Sequence, residues 1–392
     1  MHELIRPFAI KIKRNMKLMV KNIRPEVFFS HKYFSMLKAE TDIRLRQHPH
    51  ITVEASSICN LNCLCCGTRD STRSRGFIDV GFFKEVVENV IVPNKQKYIT
   101  MNTIGETLMH PEFGKLLEIL DMNSISLILV TNGLLFLKHT KEMEQYSHVI
   151  SQIQLSIDGA TKETYEKLRR NGKFDVLLKN LDWLKGLNEK VKAKIPMEIN
   201  AVLSEDNIDE VPLFFRVFSE YVSKENILFW LLCSRMSTQS KGDYFHSNRL
   251  LKNVKPAIKS PCSMPYIKSH VLYNGDVGAC CRDYHGELIV GNVKDNVFND
   301  IWTGSKYRKL RQMLSENRHK EIPLCRDCYE VPPEITFAVN IFIQYQLTVK
   351  GDSCLVNISE ALLRFLGDVS DIYNTGNLNE SSFKETLLNY RL

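Results

Sequence analysis

The sequence predicts an α/β fold: a parallel sheet with covering helices, followed by a smaller Cys-rich α+β module. Two observations predict it. Between residues 50 and 231, six apolar, partly β-branched runs alternate with helical patterns, and that order implies parallel strands joined by crossover helices. After about residue 240 the texture changes to short segments rich in Cys, Gly and Pro. The chain has 392 residues, 44% of them apolar and 25% charged, so a large core is available and global disorder or a fibrous repeat is excluded.

The expected strands are residues 51–55, 98–101, 126–130, 153–157, 197–202 and 227–231. Between them, apolar residues at helical spacing predict helices over 82–90, 113–120, 136–145, 174–187 and 211–221. Six such strands either curve into an open barrel or spread into a doubly wound sheet, and periodicity does not choose between these. In both, ligands gather in the loops at the carboxyl ends of the strands. Further on, residues 271–277 read as a hairpin around Asn274-Gly275. Residues 300–314 read as one helix, and 332–392 as a tail with one helical pattern near 359–366.

The formal net charge is +7, yet residues 1–50 alone hold 11 Lys/Arg against 4 Asp/Glu. The remainder is balanced, so no nucleic-acid partner is expected. Residues 8–23 place Phe8, Ile12, Met16, Met19, Val20 and Ile23 on one helical stripe, with Lys11, Lys13, Arg14, Lys17 and Lys21 largely off it. Such a helix packs on the barrel and shows its lysines to water, the reading favoured here, or makes peripheral contact with an anionic membrane. Residues 1–20 lack the unbroken apolar core of a signal peptide. The longest charge-free runs, 122–137 and 335–349, are too short and too polar for a membrane span. A reducing cytoplasm is the expected setting, where the 11 cysteines bind metal or do chemistry rather than pair.

Directly after the first strand, Cys59, Cys63 and Cys66 stand in a C-x3-C-x2-C spacing. Three thiolates this close wrap one corner of an iron–sulfur cubane, and soft thiolate suits that metal. Asn60 and Asn62 tolerate the backbone angles such a wrap needs, and Gly67 releases the chain afterwards. Only three ligands fit, which leaves one iron open for chemistry. Structural zinc wants four ligands, usually from two separated pairs.

On this motif the chain resembles the radical S-adenosylmethionine (radical SAM) enzymes, over about residues 50–331. The resemblance implies an open (β/α)6 barrel, a partial TIM barrel, over 50–240, with 1–49 as a basic extension. It implies a [4Fe–4S] cluster whose open iron chelates the amino and carboxylate groups of S-adenosylmethionine. Reductive cleavage then yields a 5′-deoxyadenosyl radical that abstracts hydrogen from a substrate, with the electron delivered by a donor such as flavodoxin or ferredoxin.

Further matches follow in order. Gly105 and Glu106 are similar to the family's Gly-Gly-Glu-Pro segment, which receives the cofactor's amino group; Ile104 and Thr107 replace the first Gly and the Pro. Asn132, in Thr131-Asn132-Gly133, ends the third strand as in many members. Ser156 and Arg169 stand where relatives hold the carboxylate, a group Arg grips with two parallel hydrogen bonds. Asn200, near the end of the fifth strand, stands where a polar residue meets the ribose. Cys65 departs from the pattern, since the residue before the third ligand is usually aromatic and touches the adenine.

A second group comprises Cys262, Cys280, Cys281, Cys325 and Cys328. Cys325-x2-Cys328 has a metal-hairpin spacing, and Cys262 and Cys280 flank the expected hairpin. Four thiolates complete either a [4Fe–4S] cluster or a zinc site. Gly275-x4-Cys280, Asp300-Ile301-Trp302, Tyr307-x2-Leu310-Arg311 and Pro323-x-Cys325 resemble the shortened auxiliary module of the same enzymes, the twitch domain. The longer SPASM version carries more cysteines, and here only Cys354 lies beyond Cys328. The resemblance implies one auxiliary [4Fe–4S] cluster for electron transfer, held by Cys262, Cys280, Cys325 and Cys328 in a module over 241–331. The expected activity is that of a radical oxidoreductase or epimerase acting on a sugar, cyclitol or similar polar small molecule. Peptide modification by the same chemistry is the alternative, and a non-catalytic zinc- or cluster-binding protein is the alternative from another class. Cys233, just after the sixth strand, and Cys281 are candidate hydrogen donors. Taken singly, each is more often a small buried cysteine.

Overall fold

The computed structural model describes residues 45, 47–191, 194–231, 262–326, 328, 333–350, 358–375 and 380–390. The N-terminal basic stripe, Cys233 and Cys354 lie outside the described residues. Strands β1 (His50–Val53), β2 (Tyr98–Thr100), β3 (Ser126–Thr131), β4 (Ile150–Ser156), β5 (Met197–Leu203) and β6 (Ile227–Leu231) pair in parallel, each with the next. All six expected strands form, within a few residues of their expected ends.

The strands alternate in a way that shapes the site. Ile51, Val53, Leu127, Leu129, Ile153, Leu155, Ile199, Ala201, Ile227 and Phe229 are buried. They belong to the core that includes apolar residues of α1 (Val80–Val86), α2 (Phe113–Met122), α3 (Thr140–Gln145), α4 (Lys162–Leu168), α5 (Phe174–Lys190) and α6 (Val211–Phe218). The intervening positions, among them Thr52, Thr100, Gln152, Gln154, Ser156, Glu198 and Asn200, face the other way and are largely polar. A parallel sheet covered by helices on both faces would be apolar on both. One polar face is what the lined interior of an open barrel requires.

Local chemistry sets the helix ends. Asp79 caps α1 by accepting from Phe82 N, and Thr161 caps α4 by accepting from Thr164 N. Leu177, Leu181, Leu184 and Leu187 form the buried stripe of α5. The single helix expected over 136–145 is instead a short 3-10 turn, Phe136–Lys138, followed by α3. The break falls at His139, whose ring bonds to the Leu108 carbonyl at 2.8 Å.

The cysteine-rich module does not stand apart from the barrel. After α7 (Met264–Ile267), β7 (Lys268–Val271) pairs in parallel with β1, from His50 opposite Lys268 to Val53 opposite Val271. The antiparallel strands β8 (Asp276–Gly278) and β9 (Ile289–Asn292) extend the same sheet to nine strands, in the order β6-β5-β4-β3-β2-β1-β7-β8-β9. The expected hairpin is present. Gly275, at φ +96°, closes a three-residue loop, with Leu272 N donating to Asp276 O at 2.8 Å.

The helix expected over 300–314 is corrected to two, α8 (Phe298–Trp302) and α9 (Ser305–Ser315). The chain is extended at Gly304, where a β-carbon would stand 2.6 Å from the Asp300 carbonyl oxygen. The break turns Tyr307 edge-on to Trp302, with ring centroids 4.8 Å apart, and Arg311 lies over both rings. Then follows α10 (Pro323–Arg326).

The tail is corrected from one helical pattern to three helices, α11 (Pro333–Lys350), α12 (Ile358–Asn374) and α13 (Glu380–Asn389). In α11, Ile335, Val339, Ile341, Phe342, Ile343 and Tyr345 are all buried, so its apolar residues make no single stripe for periodicity to find. The Asn340 amide donates to Phe229 O at 2.7 Å and accepts from Phe229 N at 2.8 Å, which covers the exposed edge of β6. Among the described residues, no helix is long and apolar enough to cross a membrane.

Candidate active site

The first cysteine loop leaves the carboxyl end of β1 and is pinned by three backbone hydrogen bonds. Asn62 N donates to Arg170 O, Leu64 N to Leu168 O, and Glu106 N to Ile58 O, each at 2.9 Å. Cys59, Cys63 and Cys66 therefore share one fixed turn. Burial above all, then the Glu106 carboxylate, pushes the Cys59 thiol up to about 12, and Cys63 and Cys66 add to this. Burial takes Cys63 to about 11 against the pull of Arg169. Thiols this close, with Cys59 and Cys63 largely buried, suit a shared cationic metal centre. Among the described residues, no three ligating side chains converge as they would on a single ion; a cubane instead spreads its thiolates over its corners. Cys65 turns toward the barrel wall, its sulfur 3.7 Å from Asp158 Oδ2.

The second loop lies directly on the first. Gly105 has φ +90°, and a β-carbon there would stand 2.4 Å from Ser56 O, so only glycine allows this approach. Glu106 is buried and accepts from Thr131 Oγ1 at 2.7 Å, Asn132 N at 2.8 Å and Leu108 N at 3.2 Å. Burial raises its pKa, and these donors pull it back only in part. The Asn132 side chain donates to Asn60 Oδ1 at 2.8 Å, tying the third strand's end to the cysteine loop. Gly105, Glu106 and Asn132 are thus brought together beside Cys59.

Ser156 is the last residue of β4 and lies opposite Asn200 in register. Asn200 lies three residues before the end of β5 at Leu203. Its side chain donates to Glu198 Oε1 at 2.7 Å and accepts from the Trp230 indole. Arg169 ends α4 with its Nε 2.6 Å from Asp158 Oδ2 and its Nη1 3.8 Å from Cys63 Sγ. Its charge is balanced from within the protein, and it reaches the cysteine loop at the same time.

Two residues that sequence reasoning missed complete the region. Glu54, fully buried after β1, takes both Arg73 nitrogens (3.1 and 2.7 Å), the Thr103 hydroxyl and the Tyr273 N–H. An acid directly after the β-branched run Ile51–Val53 was the available signal. His270, on β7, is buried with neither ring nitrogen hydrogen-bonded. Its electrostatic neighbours include Cys281 and Glu54, and burial lowers its pKa. Nothing in its local sequence marks it.

The second cysteine group assembles from both ends of the module. Cys262 precedes α7 and Cys280 follows β8, where Cys281, burial and Cys262 push the Cys280 thiol well up. Cys325 lies in α10, and Cys328 N closes the next turn onto Cys325 O at 3.3 Å. Burial, with Cys328 and Asp283, raises Cys325 to about 12. The Asp283 carboxylate accepts from the N–H groups of Gly286, Glu287 and Leu288, and so shapes the turn after Cys280. Residues 67–76 join the two regions. Ser71 Oγ donates to Tyr284 O at 2.6 Å, the Tyr284 ring packs on Gly67, and Tyr273 OH donates to Ser74 Oγ at 2.9 Å.

Comparison with known proteins bears on both regions. The radical SAM superfamily model matches residues 53–205, and the SPASM iron–sulfur cluster-binding domain matches 262–329, ending just past Cys328. The AdoMet-dependent heme synthase of Methanosarcina barkeri is 25% identical over 305 residues, covering 67% of this chain and 84% of that protein. The S-adenosyl-L-methionine-dependent 2-deoxy-scyllo-inosamine dehydrogenase of Niallia circulans is 31% identical over 93 residues, 23% of this chain and 37% of that one. Native anSMEcpe with bound AdoMet has a similar fold, at TM-score 0.54 and 17% identity, covering 84% of this chain and 99% of that chain. The cofactors are accordingly S-adenosylmethionine and a radical-generating [4Fe–4S] cluster, with auxiliary iron–sulfur ligation in the module. With a cysteine-rich loop at the mouth of an open barrel and a cysteine-rich module continuous with its sheet, the chain belongs to the radical SAM superfamily as a member with a C-terminal SPASM domain.

Proposed function

We propose that this enzyme removes a hydrogen atom from a sugar, cyclitol or similar polar small molecule, with dehydrogenation or epimerisation as the outcome. The carrying observation is the inner face of the barrel. Thr52, Thr100, Gln152, Gln154, Ser156 and Asn200 line it with hydroxyl and amide groups, and Glu198 on β5 and Glu54 just past β1, which Arg73 neutralises, add carboxylates. Such a lining offers donors and acceptors in the numbers a polyol requires. The similarity to a cyclitol-amine dehydrogenase supports the same reading.

In this reading Cys59, Cys63 and Cys66 hold the radical-generating cluster, and Cys262, Cys280, Cys325 and Cys328 hold one auxiliary cluster. The bound cluster and S-adenosylmethionine supply a carbon-centred radical able to remove one substrate hydrogen. Glu106 and the Gly105 carbonyl receive the cofactor's ammonium beside Asn132; Ser156 and Arg169 take the carboxylate, and Asn200 the ribose. The Asp158 partner lets Arg169 stay charged while buried, so it is ready to bind without carrying an isolated charge. Cys281 is the described candidate for returning a hydrogen atom to the substrate. A flavodoxin or ferredoxin would bring the electron, in the cytoplasm.

The test is turnover of the anaerobically reconstituted enzyme with carbon-deuterated polyols and aminocyclitols. Deuterium should appear in 5′-deoxyadenosine, together with a ketone or an epimer. Transfer only from a peptide or a heme precursor, or stoichiometric zinc without cofactor cleavage, would sink the proposal.

A further inference from the structure

The barrel's inner face holds a carboxylate whose charge nothing in the described protein balances. Glu198 is largely buried on β5 and makes no ion pair among the described residues. Two neutral amides hold it in place. Asn200 Nδ2 donates to Oε1 at 2.7 Å, and Gln152 Nε2 donates to Oε2 at 3.2 Å. Each oxygen keeps acceptor capacity for one more donor. Burial pushes its carboxyl up from the ordinary range, as expected of an acid whose counter-charge is missing. Glu54, just past β1, shows the contrast, because Arg73 grips both of its oxygens.

The surroundings point to a cationic ligand. Trp230 presents a half-exposed indole on the same face and donates to Asn200 Oδ1, the residue that in turn donates to Glu198. The indole N–H fixes the amide that orients Glu198, and a fixed carboxylate without a counter-charge is a group that recognises an ammonium. Register gives the level. Glu198 lies opposite Gln154, one layer below the Ser156–Asn200 pair. Two residues of strand put it about 6–7 Å deeper in the barrel than that pair. With Ser156 and Asn200 on the cofactor, that depth belongs to the substrate.

We propose that Glu198, oriented by Gln152 and by Asn200, which Trp230 holds, is a substrate subsite for a primary ammonium group, so that the substrate is an amino-bearing polyol. The proposal rests on the polar small-molecule reading above and narrows it.

The test is calorimetric titration of reconstituted, S-adenosylmethionine-loaded enzyme with 2-deoxy-scyllo-inosamine and with uncharged scyllo-inositol. The wild type should bind the amine about tenfold or more tightly than the polyol, as a desolvated charged hydrogen bond requires. Glu198→Gln should remove about that whole preference and leave scyllo-inositol affinity within about twofold. Trp230→Ala, which frees the Asn200 amide that orients Glu198, should weaken the amine alone by about threefold or more. Iron content and the cluster absorption of each variant check that the fold is retained. Equal binding of the two ligands, no amine binding at millimolar concentration, or an unchanged preference in Glu198→Gln overturns the subsite. Deuterium transfer separates this from the wider reading. Transfer from uncharged polyols without amine preference removes the subsite alone, whereas amine binding through Glu198 without hydrogen transfer removes the reaction alone.

Discussion

Arg169 and Asp158 form a buried ion pair, Nε to Oδ2 at 2.6 Å, directly behind the cysteine loop. Asp158 Oδ1 also accepts from Val202 N at 2.8 Å, so one carboxylate links the end of β4, β5 and the helix that carries Arg169. Removing one partner of a buried pair leaves an uncompensated charge. Asp158→Ala should therefore destabilise the cluster-free protein by about 3–5 kcal/mol in denaturant unfolding. A loss under about 1 kcal/mol would show that the pair is not structural.

With Glu106 receiving the cofactor's ammonium, as proposed, cofactor affinity should depend on pH. Its folded pKa is raised, chiefly by burial. The folded, cluster-free protein thus holds that proton more tightly than the unfolded chain does, and the stability this contributes fades as pH climbs through the raised value. An ammonium favours the carboxylate and lowers the pKa again. Binding of S-adenosylmethionine should therefore release a proton and tighten as pH rises through the raised pKa. Titrations in buffers of different ionisation enthalpy measure the release. Glu106→Gln should abolish it and cost about tenfold or more in affinity.

The two clusters should be separable. Cys325→Ala with Cys328→Ala should remove about four of about eight irons, and cofactor cleavage should persist. Loss of all iron would contradict the division of the cysteines between two sites.

Asn340 guards a sheet edge. Asn340→Ala removes both hydrogen bonds to Phe229 and leaves its backbone groups unpaired. The expected cost is about 1–3 kcal/mol in thermal unfolding. Light scattering should also show concentration-dependent aggregation as the β6 edge is freed. Normal stability with no aggregation would mean that α11 holds the edge by its apolar contacts alone.

Much of this protein was legible in its residues. Period-two and helical patterns record local burial, so the six barrel strands and most of their helices could be read before any tertiary contact was known. Cys59, Cys63 and Cys66 were legible as candidate ligands because their spacing along one loop is itself the signal, and Cys325 and Cys328 for the same reason. Gly105 was visible as part of a motif, but the Ser56 carbonyl that makes glycine necessary there lies 49 residues away in the chain.

What the tertiary structure alone decided depends on partners remote in sequence. The module joins the barrel because β7 pairs with β1 across more than 200 residues, and no local pattern states which strand is whose neighbour. The tail's role came from one asparagine meeting the β6 backbone 111 residues away. The residue that balances Arg169 became visible only when folding set Asp158 beside it, and Glu198, which no motif marks, stands out only because its register faces it inward with no counter-ion among the described residues. The sequence determined which groups could bind metal and which faces were apolar, because those are properties of residues and their spacing. Which charges are balanced, and which are left for a ligand, was decided only by folding, because charge balance in a low-dielectric interior belongs to neighbours in space.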